Sequence, residues 1–263
     1  MTTPPGVRLD RELVHRGLAR SRSHAQQLIH AGLVTVNGRE SRRPAELVAP
    51  GDELLCEDDH YVSRAAHKLI GALGDLELDV RGRALDAGAS TGGFTQVLLE
   101  RGCEAVYAVD VGTDQLAAGL RDDPRVVVWE QTNLRDLGLE HVGGRPVDLV
   151  LADVSFISLV LLVPRLAAVT RSDGRLLLMV KPQFEVGRQA LGKGGVVRSA
   201  AKHRWAVEQV VGAAEDAGWF AHRVVPSRLP GPAGNVEYFV LLSTVRPAAP
   251  VDLGAAVAAA PPG

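Results

Sequence analysis

The sequence predicts an α/β protein: a doubly wound, Rossmann-like sheet, mostly parallel with an antiparallel last strand, behind a small α+β domain. Three observations predict it. Between residues 84 and 180, strand-like apolar runs alternate with helix-like ones, the pattern of βαβ units. A glycine-rich loop follows the first of those runs and opens a helix. The charge also changes sign along the chain. Residues 1–50 hold eight arginines against four acidic residues, a net of +4, so the remainder of a chain of net charge −2 carries −6.

The N-terminal elements come first. Leu9, Leu13 and Val14 fall at helical spacing and Gly17 closes the stretch. Ser21 or Ser23 caps a second helix with Ala25, Leu28 and Ile29 on its apolar face, and Gly32 sits where a C-cap belongs. Val34-Thr-Val36 runs into Asn37-Gly38, a hairpin turn, then a return segment through Arg42 and Arg43, and Glu53 to Cys56 is a last short strand. Arg8, Arg11, Arg20, Arg22, Arg42 and Arg43 then share a compact basic face, reinforced by the positive end of the second helix. The run from Arg8-Leu-Asp through Ala19-Arg-Ser-Arg-Ser to Val34-Thr-Val-Asn-Gly resembles the S4 RNA-binding domain. A solvated arginine face is the blander alternative.

In the larger part, a helix spans 63–73. Strands follow at 84–87, 105–110, 126–129, 147–153 and 175–180, with helices at 94–100, 115–120 and 159–169 between them. A helix over 200–217 and strands near 223–225 and 236–242 finish the sheet, the last strand alternating in polarity. The domains read as 1–58, a linker at 59–63, the sheet domain at 64–245 and a disordered Pro/Ala-rich tail at 246–263.

Composition excludes several classes. An apolar share of 46% and a charged share of 23% rule out wholesale disorder and collagen-like repeats. The longest apolar stretch, Ile157 to Val163, falls far short of the ~20 residues of a spanning helix, so no membrane partner is expected. The first residues lack the pattern of a signal peptide, and Cys56 and Cys103 have no metal-ligand spacing. A cytoplasmic protein without a metal is expected.

The loop Asp86-Ala-Gly-Ala-Ser-Thr-Gly-Gly-Phe94 carries the cofactor reading. Its Gly88, Ser90 and Gly92 follow Gly-x-Ser-x-Gly rather than the Gly-x-Gly-x-x-Gly of dinucleotide binders, and an acid precedes it at the strand end. Thr91, Gly93 and Phe94 complete it. That variant is typical of S-adenosylmethionine sites; a nicotinamide dinucleotide is the runner-up. Asp110 ends the next strand, where a carboxylate accepts ribose hydroxyls, and Asn133 and Asp136 follow the third, near where an adenine edge would sit.

Lys68, Asp153, Lys181 and Glu237 stand at the ends of elements facing the same crevice. The chain has only four lysines, and an amine, unlike a guanidinium, can be tuned to lose its proton. This Lys-Asp-Lys-Glu set resembles ribose 2′-O-methyltransferases of the FtsJ type. With Ser63-Arg-Ala-Ala-His-Lys68-Leu, Leu151-Ala-Asp-Val-Ser-Phe-Ile-Ser, Lys181-Pro-Gln-Phe-Glu185 and Gly192-Lys-Gly-Gly-Val-Val-Arg198 behind an S4 domain, the chain resembles the TlyA family, known both as hemolysins and as ribosomal RNA 2′-O-methyltransferases. It departs at Ala65-Ala66, where many relatives carry two glycines.

The resemblance implies methylation of a cytidine ribose in 16S or 23S ribosomal RNA, or both, met in ribosomal subunits. Lys181 would be the base or the charge that eases loss of the hydroxyl proton, aided by a neighbouring Lys68. Asp153 would orient Lys181 and face the methyl group, and Glu237 would hold Lys68 or the ribose. Base methylation is disfavoured, because Asp153-Val-Ser-Phe156 lacks the two prolines of the amino-methylating box. The loop 187–198, with Arg188, Lys193 and Arg198, reads as a lid or RNA clamp, or as an ordinary surface loop. A pore-forming hemolysin and a non-catalytic RNA-binding module are the competing functions.

Overall fold

The structure is a computed structural model that describes residues 6–19, 21–56, 60–187, 189, 191–231 and 233–260, without the side chain of residue 193. The chain divides into two compact units, 1–61 and 62–263.

In the first unit, β1 (Val7–Arg8), α1 (Leu9–His15), α2 (Arg22–Ala31), β2 (Val34–Val36), β3 (Arg39–Glu40), β4 (Leu47–Val48) and β5 (Leu54–Cys56) follow in order. Ser21, rather than Ser23, caps α2: its hydroxyl accepts from the His24 amide at 3.2 Å. Gly32 closes the helix in the left-handed region at φ +79°. Asn37 and Gly38 both take positive φ, which joins β2 to β3 as a two-residue hairpin, with β5 on the other side of β2. Leu9, Leu13, Ala25, Leu28, Ile29, Val34 and Leu54 form the core.

The second unit contains α3 (Ala65–Leu76), β6 (Gly82–Ala87), α4 (Gly93–Glu100), β7 (Cys103–Val109), α5 (Ala118–Arg121), β8 (Val126–Trp129), β9 (Val147–Ala152), α6 (Val163–Ala168), β10 (Thr170–Val180), α7 (Pro182–Glu185), α8 (Ala200–Asp216), β11 (Phe220–Pro226), β12 (Tyr238–Ser243) and α9 (Leu253–Ala258). The sheet order is β8-β7-β6-β9-β10-β12-β11, and β12 pairs antiparallel with both neighbours. The path reverses between β6 and β9, and a doubly wound sheet opens its ligand crevice at the carboxyl ends beside such a reversal. Leu85 and Ala87 point to the face covered by α6 and α8, where Leu166, Val207 and Val210 lie. Asp86, one residue out of phase, points toward Thr95 of α4.

Four expectations need correction. The helix expected over 115–120 shrinks to α5, because residues 114–116 turn their amides onto Glu130 instead of onto one another. The helix expected over 159–169 begins with a 3₁₀ turn, Leu159–Leu161, and turns α-helical only around Pro164, a residue suited to a first turn. The last strand, expected to alternate in polarity, is buried along its whole length: Tyr238, Val240 and Leu242 join the core with Val207 and Val210 of α8, and Phe239 on the other face stacks on Phe94 of α4. The tail expected to be disordered carries α9: Asp252 caps it, accepting from the Ala255 amide at 2.9 Å, and Val257 is buried in the core.

Ser21→Ala removes the α2 cap, at a cost of about 1 kcal/mol. Amide exchange across α2 should then rise about fivefold, with exchange in the second unit unchanged.

Candidate active site

The glycine loop leaves β6 and brushes the chain leaving β9. Gly88 sits at φ +90°, and a Cβ there would lie 2.5 Å from the Asp153 carbonyl oxygen, so only glycine fits. Gly92, at φ +97°, is the N-cap of α4 and packs under Leu116 and Leu120. Ser90 is also left-handed (φ +47°) and points its amide at Asp110 Oδ2, 2.9 Å away. Gly112 donates to the other oxygen at 2.7 Å. Asp110 thus pins the loop while keeping lone pairs toward the crevice.

Two cavities meet here and share Gly88, Ser90, Asp153 and Ser155. The larger, about 450 Å³, is walled by Asp110, Gln115, Asn133, Leu134 and Phe156. The smaller, about 240 Å³, is lined by Ser63, Asp86, Thr91, Gly93 and Phe94 on one side and Lys68, Asp153 and Lys181 on the other. Asp136, expected beside Asn133, is exposed and lines neither. The helical turn at 134–136, capped by Asn133, carries it away.

Asp86 is fully buried. Its Oδ2 accepts from the Thr95 hydroxyl at 2.7 Å, and its Oδ1 has no partner. Burial pushes its carboxyl up to about 7, against the Thr95 bond and helped by the charges of Asp153 and Asp110. A buried, unsatisfied carboxylate oxygen in a cavity wall is set to receive a cation or a donor.

The four charged candidates form two pairs. Lys68 Nζ is 2.5 Å from Glu237 Oε2, with side chains 6% and 1% exposed. Lys181 Nζ lies 2.6 Å from Asp153 Oδ1 and donates to Ser155 Oγ at 2.9 Å. The aspartate contact is short but poorly aligned for a hydrogen bond, so the directed bond of the amine goes to Ser155. Lys68, Asp153 and Lys181 face the small cavity, while Glu237 stands behind Lys68.

Several residues here take roles that the sequence does not show. Ser155 is one. Glu130 is another: its carboxylate accepts from the amides of Asp114, Gln115 and Leu116 and from Arg121, and these bonds, with the Arg121 one largest, hold it down to about 2. Phe156 stands 91% exposed on the cavity rim at φ +66°, with its ring 5.1 Å from Phe184. Asn235 and His203 hold Val197: Asn235 Oδ1 accepts from its amide at 2.9 Å, and His203 Nε2 is 2.7 Å from its carbonyl. The end of the 187–198 loop is therefore anchored, and Arg198 beside it is exposed.

In the first unit, Arg8 and Arg22 converge on Asp10, which is wholly buried, accepts also from Gln26 and is held far below the usual carboxylate range. Arg42 pairs with Glu40 at 2.5 Å, and Arg11 and Arg43 are exposed. Arg20, Arg188 and the side chain of Lys193 lie outside the described residues. Among the described residues no group of His, Cys, Asp or Glu side chains is arranged to hold a metal, and no helix is long and apolar enough to cross a membrane.

Comparison with known proteins decides the family. An FtsJ-like methyltransferase family model matches residues 61–244, and an S4 domain model matches 7–54. The chain belongs to the FtsJ-like methyltransferase family. It is 52% identical over 242 residues, 90% of either chain, to the 16S/23S rRNA (cytidine-2′-O)-methyltransferase TlyA of Mycobacterium tuberculosis. It is 36% identical to the Hemolysin A of Brachyspira hyodysenteriae, covering 88% of this chain and 98% of that one. A solved structure named as a hemolysin, from Streptococcus thermophilus, superposes with a TM-score of 0.75 at 37% identity, over 97% of this chain and 95% of its own.

In this FtsJ-like unit, Glu130→Ala should speed amide exchange at Asp114, Gln115 and Leu116. Because the folded carboxyl titrates below its ordinary 4.5, its hold is complete above that pH. The loop should loosen in the parent protein only as the pH falls toward about 2.

Proposed function

We propose that this protein transfers a methyl group from S-adenosylmethionine to the ribose 2′-hydroxyl of a cytidine in 16S or 23S ribosomal RNA, or both, working in the cytoplasm on ribosomal subunits. The observation that carries this reading is the junction of the two cavities at Asp153. The large cavity offers Asp110, Gln115 and Asn133, and the small one sets the glycine cradle and the unsatisfied Asp86 carboxylate opposite Lys68 and Lys181 with their carboxylate partners. The 52% identity to a cytidine-2′-O-methyltransferase supports the choice of substrate.

The cofactor fits the residues present. Asp110, Gln115 and Asn133 would hold the adenosine end, and Asp86 with the Gly88–Gly92 backbone the amino-acid end. When bound, S-adenosylmethionine supplies an activated methyl on a sulfonium. The protein must then align the ribose oxygen with it and deal with a proton. A 2′-hydroxyl seated in the small cavity meets Lys181 Nζ, which takes its proton or offsets its growing negative charge. Asp153 and Ser155 fix the direction of that amine. Glu237 neutralises Lys68, so a second cation stands at the cavity without leaving a buried charge unpaired. Phe156 offers a bare ring on which a base can stack. The demand for a 2′-hydroxyl selects RNA over DNA, and the arginine face of the first unit supplies phosphate contacts.

The test is to incubate the protein with labelled S-adenosylmethionine and each ribosomal subunit from an unmethylated strain, then map 2′-O-methyl sites by primer extension at low nucleotide concentration. Stops at one or more cytidines are expected. Absence of label on both subunits, or leakage of liposomes by the purified protein, overturns the reading. Lys181→Ala should abolish transfer with cofactor affinity within about threefold of the parent; Lys181→Arg, whose guanidinium stays charged, should fail too where the amine takes the proton and should keep part of the rate where it only offsets charge. Cofactor affinity should rise with pH through about 7, the value for Asp86, because a ligand ammonium group favours the ionised carboxylate. Calorimetry should show that rise across pH 6 to 8 and its loss in Asp86→Asn.

A further inference from the structure

Glu185 ends the Lys181-Pro-Gln-Phe-Glu motif, and nothing in the proposed chemistry uses it. It stands at the end of α7, the single short turn that begins at Lys181. Its carboxylate reaches across to the neighbouring loop, the one that leaves β9. Oε2 accepts from the Ser158 hydroxyl at 2.5 Å, and Oε1 accepts from the Leu159 amide at 2.9 Å. Burial pushes this carboxyl up, opposed only by those two bonds. A partly buried carboxylate without a compensating cation is costly, so the two bonds are what hold it in place.

The β9 loop is fixed at its near end, where the Asp153 amide bonds to the Ala87 carbonyl at 3.0 Å. Between the two fixed ends stand Ser155 and Phe156, both exposed, and Ser155 is the acceptor of the Lys181 amine. Phe184, adjacent to Glu185, lies 5.1 Å from the Phe156 ring, and its own ring is 6.0 Å from Lys181 Nζ. Lys181 and its acceptor therefore sit on two separate loops, and Glu185 joins those loops at their far ends.

We propose that Glu185 is a positioning residue for methyl transfer: it tethers the 153–158 loop to the segment carrying Lys181, in the register that holds Ser155 and Asp153 against the Lys181 amine. The proposal rests on the methyl-transfer reading above and predicts a loss in the chemical step rather than in cofactor binding.

The experiment compares the full-length parent with Glu185→Gln, Glu185→Ala and Ser158→Ala. It reads single-turnover methyl transfer to ribosomal subunits, cofactor affinity, and amide exchange at Ile157 to Val160. Glutamine still accepts from the Leu159 amide and can donate to Ser158, so Glu185→Gln should stay within about fivefold of the parent rate. Glu185→Ala should fall on the order of 30-fold or more, with cofactor affinity within about threefold. Ser158→Ala, which keeps the amide bond, should fall between them. Exchange at Leu159 should accelerate in Glu185→Ala while β9 stays protected. The proposal is overturned if Glu185→Ala turns over within threefold of the parent, if Glu185→Gln is as slow as Glu185→Ala, or if Leu159 exchange does not change. A parent that methylates no RNA sinks the methyl-transfer reading, whereas unchanged exchange at Leu159 sinks the tether, so the two failures are distinguishable.

Discussion

The site depends on how closely two loops approach. The chain leaving β6 and the chain leaving β9 come within van der Waals range because Gly88 has no side chain, and the Asp153 amide bonds back to the Ala87 carbonyl. That approach lets one residue, Asp153, face both cavities. A methyl group moving from one molecule to another crosses only a few ångströms, and misplacing the reacting atoms by about 1 Å costs on the order of a hundredfold in rate. The parallel register of β6 with β9, from Ala84 against Leu149 to Ala87 against Ala152, brings the two strand ends level. The sheet therefore sets the site's geometry before any catalytic side chain is considered.

Charges so close to an apolar sheet need a reason to stay. Lys68 and Glu237 are almost completely removed from water. Removing one partner of such a pair leaves a stranded charge worth roughly 3–5 kcal/mol, while a well-packed apolar replacement of both can be neutral for stability. Stability alone therefore does not call for the pair; a polar ligand in the cavity beside it does. The second pair is built differently. Lys181 keeps a cavity face, a carboxylate and a hydroxyl, an arrangement suited to changing partners rather than to holding one.

The main positions of the candidate site were legible because strand ends are. Asp110, Asp153 and Lys181 each follow an uninterrupted apolar run and Asp86 stands next to last in β6, and in a parallel sheet such positions fall at one edge. Ser155, Glu130, Glu185 and Asn235 were not legible, because their roles depend on which loops become neighbours. Glu130 reads in sequence as one more acid after a strand, and only the fold wraps residues 114–116 around it. The tail misled for a different reason. Its composition looks too plain to fold, yet alanine is the best helix former, and an aspartate cap with one buried valine suffices to seat α9 against the body. Asp136 misled by proximity: three residues from Asn133, it is turned outward by a single helical turn.

The buried carboxylate of Asp10 bears on how the first unit meets a polyanion. Arg8 and Arg22 already share that internal negative charge, Arg42 is matched by Glu40, and Arg16 spends its fork on Glu12 and on backbone carbonyls. Among the described residues, Arg11, Arg39 and Arg43 carry no carboxylate partner. Cations neutralised in advance draw fewer phosphates and expel fewer condensed counterions when nucleic acid binds. The dependence of affinity on salt should therefore be shallower than a tally of arginines implies.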